Sequence, residues 1–154
     1  MRISIRSAKP KDFALVAGLT NRAYTIPYIP GGRITQANDS LEKIKSEIRE
    51  GAKIFIAEIV GKMIGSVRYK PRDNDLLLYK LAVDPEYRRQ GVGSQLIKYV
   101  LQNMKAAKAE WVIIEVAEEK GLTRYYESLG FKITKRYLHN GRYEVQMSRN
   151  LTLH

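Results

Sequence analysis

The chain has 154 residues, 44% apolar and 28% charged, a length and balance that suit one globular domain spanning 1–154 with a real core. It has no cysteine, which excludes disulfides, thiolate nucleophiles and Cys-based metal sites, and a net charge of +11, which favours an anionic partner or simply a well-solvated surface. "MRISIRSAKPKDF" lacks the apolar centre of a signal peptide, and no apolar run reaches the roughly 20 residues needed to cross a bilayer, so a soluble cytoplasmic protein is expected.

In chain order, "ISIRSA" alternates and predicts a first strand. Pro10 opens a helix over "PKDFALVAGLTNRAY", with Phe13, Val16, Ala17 and Leu19 on or near one face. The prolines and glycines of "TIPYIPGGRIT" make a loop. Asp39 is the expected cap of a second helix, with Glu42 completing a capping box, an apolar stripe of Leu41, Ile44 and Ile48, and Gly51 as its stop. "KIFIAEIV" and "KMIGSVRYK" then form a hairpin around "VGK", and "DNDLLLYKLAV" is the third strand of that meander.

A helix follows with Val92, Leu96, Ile97, Val100, Leu101 and Met104 on a broad apolar face. "EWVIIEVA" is a strand expected to be buried, from its continuous apolar centre. "EEKGLTRYYESLG" is a short helix closed by Gly130, and "FKITKRYL" and "RYEVQMSRNL" pair around "HNG". The order β-α-α-β-β-β-α-β-α-β-β is an α/β (α+β) arrangement: a mixed sheet with helices on its faces. The unit from Leu76 to Ala117 should be a right-handed parallel crossover.

The chemistry concentrates where a strand passes to a helix, at "DPEYRRQGVGSQLI". Gly91 and Gly93 let backbone approach a ligand closely, and the helix start offers free N–H groups at the positive end of its dipole. Arg88 and Arg89 add forked donors suited to phosphate oxygens, so a pyrophosphate is the natural guest. The chain has neither GxxxxGK[ST] nor a GxGxxG after its first strand, which rules out a P-loop and a dinucleotide fingerprint. A bare glycine turn with solvated arginines is the plain alternative.

"LAVDPEYRRQGVGSQLI" resembles the acetyl-CoA motif of the GNAT superfamily of N-acetyltransferases, Q/R-x-x-G-x-G/A, with Arg88, Gly91 and Gly93 at its fixed positions. "RYYESLGFKI" resembles the C-terminal "FYEKLGF" segment of that family, and the element order matches over essentially the whole chain. The resemblance implies an acetyl-CoA-dependent N-acetyltransferase acting on a primary amine. The amides of Arg89, Gln90, Gly91, Val92, Gly93 and Ser94 would cradle the pyrophosphate of coenzyme A. Leu81, Ala82 and Val83 would pair with the pantetheine arm as with a neighbouring strand, and a backbone N–H near Val83 would hold the carbonyl oxygen as charge develops. Those residues would splay from Glu115–Ala117 to leave the acetyl slot. Tyr126 would give a proton or hydrogen bond to the departing thiolate, with Tyr125 packing inward.

The chain departs from the family pattern at Leu77, where many members carry a glutamate, and at Glu119, where many carry an asparagine. Glu115, Glu118, Glu119, Glu144 and His139 are then the candidate bases beside a water relay. The resemblance also points to Tyr24, Tyr28 and Arg33 as acceptor-pocket residues, with Glu115 beside them, and to a homodimer as a possibility. Two other readings stay open: an acyl-CoA-binding sensor or partner subunit without chemistry, and a basic nucleic-acid binder. The second is disfavoured by the lack of helix-turn-helix, RRM or zinc signatures.

Overall fold

The computed structural model describes residues 2–25, 38–104, 109–118, 120–139 and 141–151. Its elements follow the expected order: β1 (Ser4–Ser7), α1 (Phe13–Thr25), α2 (Leu41–Arg49), β2 (Lys53–Ile59), β3 (Lys62–Arg72), β4 (Asp75–Val83), α3 (Val92–Asn103), β5 (Trp111–Ala117), α4 (Lys120–Ser128), β6 (Lys132–His139) and β7 (Arg142–Asn150). The strands hydrogen-bond in the order β1-β2-β3-β4-β5-β7-β6. Among the described residues no helix is long and apolar enough to cross a membrane. The chain gathers into two compact units, Met1–Lys70 with Lys80–Met104, and Pro71–Tyr79 with Lys105–His154.

The first unit carries α1, α2, α3 and the antiparallel ladders of β1, β2 and β3. Phe13, Val16 and Ala17 of α1 and Ile44 of α2 pack on Ile54 and Ile56 of β2, which is the apolar stripe read from the sequence meeting one face of the strands. Leu19 and Ala23 of α1 pack on Ala82 of β4. The helix beginning at Pro10 starts as a 3-10 turn, Pro10–Asp12, before α1 proper. Asp12 is buried there, takes the Lys9 N–H at 2.8 Å and pairs with Arg6 of β1, which holds its carboxyl at about 2.

One expectation is corrected here. Ser40, not Asp39, caps α2: its Oγ accepts the Lys43 N–H at 3.1 Å. Asp39 is drawn away by Arg68 of β3, whose side chain is wholly buried and pairs with both Asp39 and Glu47. A buried guanidinium needs carboxylates more than a helix start needs that one. Thr20 of α1 accepts from the same guanidinium at 3.2 Å, so one cation ties two helices to a strand.

The second unit is built on the ladders β5·β7 and β6·β7. β4 joins β5 in parallel at Leu76↔Val112 and Leu77↔Ile113, as the crossover predicts. β5 is not buried throughout, contrary to the reading of its apolar run. Val112 and Ile114 are in the core, while Trp111 and Glu115 face solvent. With one face covered, β5 behaves as a half-buried strand of period two.

Candidate active site

β4 ends in a distinct way. Lys80 has a φ of 54, a left-handed conformation that interrupts the extended strand between the part paired with β5 and the part holding Leu81, Ala82 and Val83. Beyond it, the Asp84 N–H donates to the Ile64 carbonyl of β3 at 2.8 Å. Because backbone groups alternate along a strand, the N–H of Val83 then faces the edge away from β3. The Leu81 carbonyl lies on that same edge, where it accepts the Tyr24 hydroxyl of α1 at 2.7 Å.

The turn that follows is set by two left-handed residues. Asp84 Oδ1 accepts the Glu86 N–H at 3.0 Å and starts a 3-10 turn at Pro85–Tyr87. Arg89 has a φ of 64 and Gly91 a φ of 82, left-handed backbone of the kind from which anion nests are built. Gly91 is the N-cap of α3, and it has no side chain to bond the first-turn amides. No acidic residue stands in that turn. The contrast with α2, capped by Ser40 and carrying Glu42, is direct: α3 begins with donors its cap leaves to another acceptor. Gly93 has no such backbone requirement, and a Cβ there would meet Leu81 and Val83 only at 3.5 and 3.6 Å. The protein itself therefore tolerates a side chain at Gly93, and space for a ligand remains as the use of that glycine. The turn fits the pyrophosphate of coenzyme A.

The arginines of the motif divide. Arg89 and Gln90 are exposed at the turn. Arg88 instead donates through Nη2 to the Ala23 carbonyl near the C-terminus of α1 at 2.6 Å, where cations are favoured. Arg88 and Tyr24 together fasten the end of α1 to the end of β4 and the turn. Tyr24, an expected acceptor-pocket residue, is half-buried over Leu81, under the Lys80 ammonium, and burial pushes its hydroxyl up to about 12. Tyr28, Arg33 and Glu119 lie outside the described residues.

In the second unit, Tyr126 is buried on α4, with its ring edge-on to Tyr125 at 5.3 Å and to Phe131 at 5.7 Å. Tyr125, expected to pack inward, is half-buried, and Tyr126 is the more buried of the two. Glu115 is exposed on β5, accepts the Tyr137 hydroxyl at 2.6 Å and pairs with Arg72. Tyr137 first and Arg72 second hold its carboxyl below the ordinary value, against partial burial. A carboxylate so held stays ionised and is a weak proton acceptor. Glu118 is bonded by Arg136. The partners Tyr137, Arg72 and Arg136 were missed by sequence reasoning: they stand 18 to 43 residues away from the carboxylates they meet, and no motif marks them.

The sequence pattern of the "Acetyltransferase (GNAT) domain" matches residues 50–133. The chain is 34% identical over 129 residues to [Ribosomal protein bS18]-alanine N-acetyltransferase of Escherichia coli K12, covering 83% of this chain and 80% of that protein. It is 33% identical over 87 residues to the probable N-acetyltransferase camello of Xenopus tropicalis, covering 54% of this chain and 40% of the relative, so it spans less than half the length of that protein. The crystal structure of the ribosomal-protein-S18-alanine N-acetyltransferase from Escherichia coli superposes with a TM-score of 0.77 at 22% identity, over 99% of this chain and 96% of that one. The glycine turn after β4, the strand order and these likenesses agree: the chain belongs to the GNAT acetyltransferase family.

Proposed function

We propose that this protein transfers the acetyl group of acetyl-CoA to a primary amine. The observation that carries the reading is the start of α3: left-handed Arg89 and Gly91, no capping side chain and no acid in the first turn, directly after β4. The amides from Arg89 to Ser94 hold the pyrophosphate, and exposed Arg89 adds charge. The β4 edge at Leu81–Val83 receives the pantetheine as a strand would be received. Tyr24 already occupies the Leu81 carbonyl, so the pairing falls chiefly to Val83.

Acetyl-CoA supplies an acyl carbon activated by a good leaving thiolate. The chain's part is to hold charge and protons. The Val83 N–H, aimed away from β3, is the donor for the carbonyl oxygen as it becomes negative. Tyr126 is the acid, its phenol giving a proton to the thiolate. Glu115 is tied by Tyr137 and Arg72 and is read as an ionised anchor for a cationic group, not the base. The acceptor's proton leaves through water.

Isothermal titration with acetyl-CoA tests this, with Gly93→Glu beside the wild type. The wild type should bind in the micromolar range, and the variant, folded but with a carboxylate at the helix start, should weaken binding by about a hundredfold or more. Equal binding by both would remove the site. Tyr126→Phe should keep binding and lower the turnover of an amine panel by about tenfold or more. Binding with no transfer to any amine would leave a sensor, not an enzyme.

A further inference from the structure

Lys80 stands where the paired part of β4 gives way to the edge of Leu81, Ala82 and Val83. Its φ of 54 is a left-handed conformation that a residue with a Cβ adopts at a cost, and that glycine or asparagine adopts more readily. Backbone strain of this kind gathers where function demands a particular placement. What this backbone places is a primary amine.

The surroundings of that amine set it apart. Lys43, Lys62 and Lys98 are exposed, whereas Lys80 is half-buried. Its Nζ lies over the Tyr24 ring, 5.5 Å from the centroid. The hydroxyl of the same tyrosine donates to the Leu81 carbonyl at 2.7 Å, on the edge toward which the Val83 N–H faces. One phenol thus touches the edge with its oxygen and carries the ammonium on its face. Lys80 has no carboxylate partner among the described residues, and an aromatic face is a looser hold than an ion pair in a half-buried place.

We infer that Lys80 is a site of self-acetylation, the chain's own amine accepting the acetyl group of bound acetyl-CoA when no other acceptor is present. The inference rests on the acetyltransferase reading and adds a modification site to it. With the pyrophosphate at the turn and the pantetheine along Val83 and Leu81, the acyl end points away from the turn, toward Lys80. The Lys80 amine, once it has lost its proton to water, attacks the thioester carbonyl carbon. A C–N bond forms, the C–S bond breaks with its electron pair leaving on the coenzyme A thiolate, and the second amine proton passes to water. An amine tethered beside a bound thioester reacts as part of one molecule, which favours it over any lysine that must meet acetyl-CoA from solution. The product is a neutral amide, so Lys80 loses both its charge and its attraction to the Tyr24 ring.

The test incubates the full chain with acetyl-CoA and no added amine, and follows intact mass and peptide maps with time. Lys80 should gain an acetyl group at least about tenfold faster than exposed Lys43, Lys62 or Lys98, at a rate independent of protein concentration. Lys80→Arg should still bind acetyl-CoA by titration and should lack the fast acetylation. Gly93→Glu, weakened in acetyl-CoA binding, should label Lys80 no faster than the exposed lysines. Equal labelling of Lys80 in Gly93→Glu and wild type, a rate at Lys80 no greater than at the exposed lysines, or a rate that rises with protein concentration overturns the inference while the acetyltransferase reading stands. Failure of the wild type to bind acetyl-CoA in the titration overturns that reading, and this inference with it.

Discussion

The β4 end with its glycine turn and the β5 end with the β6–β7 hairpin are built by different rules. At the turn, the distinctive features belong to the main chain: two left-handed residues, a helix start with no capping side chain and a strand edge. Side chains there serve the scaffold, as when Arg88 bonds Ala23 and Tyr24 bonds Leu81. At the hairpin the reverse holds. Side chains meet there, and their ion pairs, Arg72–Glu115 and Arg136–Glu118, are exposed and join residues far apart in sequence. A ligand common to a whole family can be read by backbone, which every sequence supplies. An acceptor that differs between members must be read by groups free to vary.

The comparison breaks most readily at its firmest point. Arg68→Met removes the buried guanidinium that pairs with the buried Asp39 carboxylate and the part-buried Glu47, and removing one partner of such a network costs about 3–5 kcal/mol. Urea unfolding should show that loss in full; a loss under about 1 kcal/mol would mean that Asp39 escapes to water and that the first unit is no more rigid than the second. Tyr24→Phe is gentler. It removes one hydrogen bond to Leu81, worth about 1 kcal/mol in stability. Because that bond fixes the strand edge carrying Val83, acetyl-CoA affinity should fall by about fivefold as well. Unchanged affinity would reduce Tyr24 to packing.

The same contrast explains what could be read in advance. The glycine turn was legible because its geometry is local: a strand, Asp-Pro, two glycines and a helix within one stretch of chain. The elements followed from apolar period, and Gly130 and Gly51 stop helices where left-handed backbone is needed, with φ of 92 and 102. Asp39 was misread because the residue that claims it, Arg68, lies 29 positions away. β5 was misread because "WVIIEVA" hides its period, apolar side chains being allowed to face solvent.

The smallest effect sharpens the contrast. Glu115→Gln removes the charge that Tyr137 and Arg72 hold at the exposed end of β5. The folded protein keeps that carboxyl below its ordinary value, so the native state binds its proton less readily than the unfolded chain does. The stabilisation is thus complete above the unfolded value of about 4.3 and is lost as pH falls through the folded one. At neutral pH the wild type should exceed Glu115→Gln by no more than about 1 kcal/mol, because water and salt screen an exposed pair. Raising the salt from 0.05 to about 1 M should close most of that gap, and acid should close the rest. Arg68→Met should respond to salt hardly at all, its charges being buried. If Glu115→Gln costs as much as Arg68→Met and ignores salt, the β5 end is a preorganised charge site and not a solvated surface. Glu115 would then be a catalytic group in its own right, with a loss of turnover that exceeds its effect on stability.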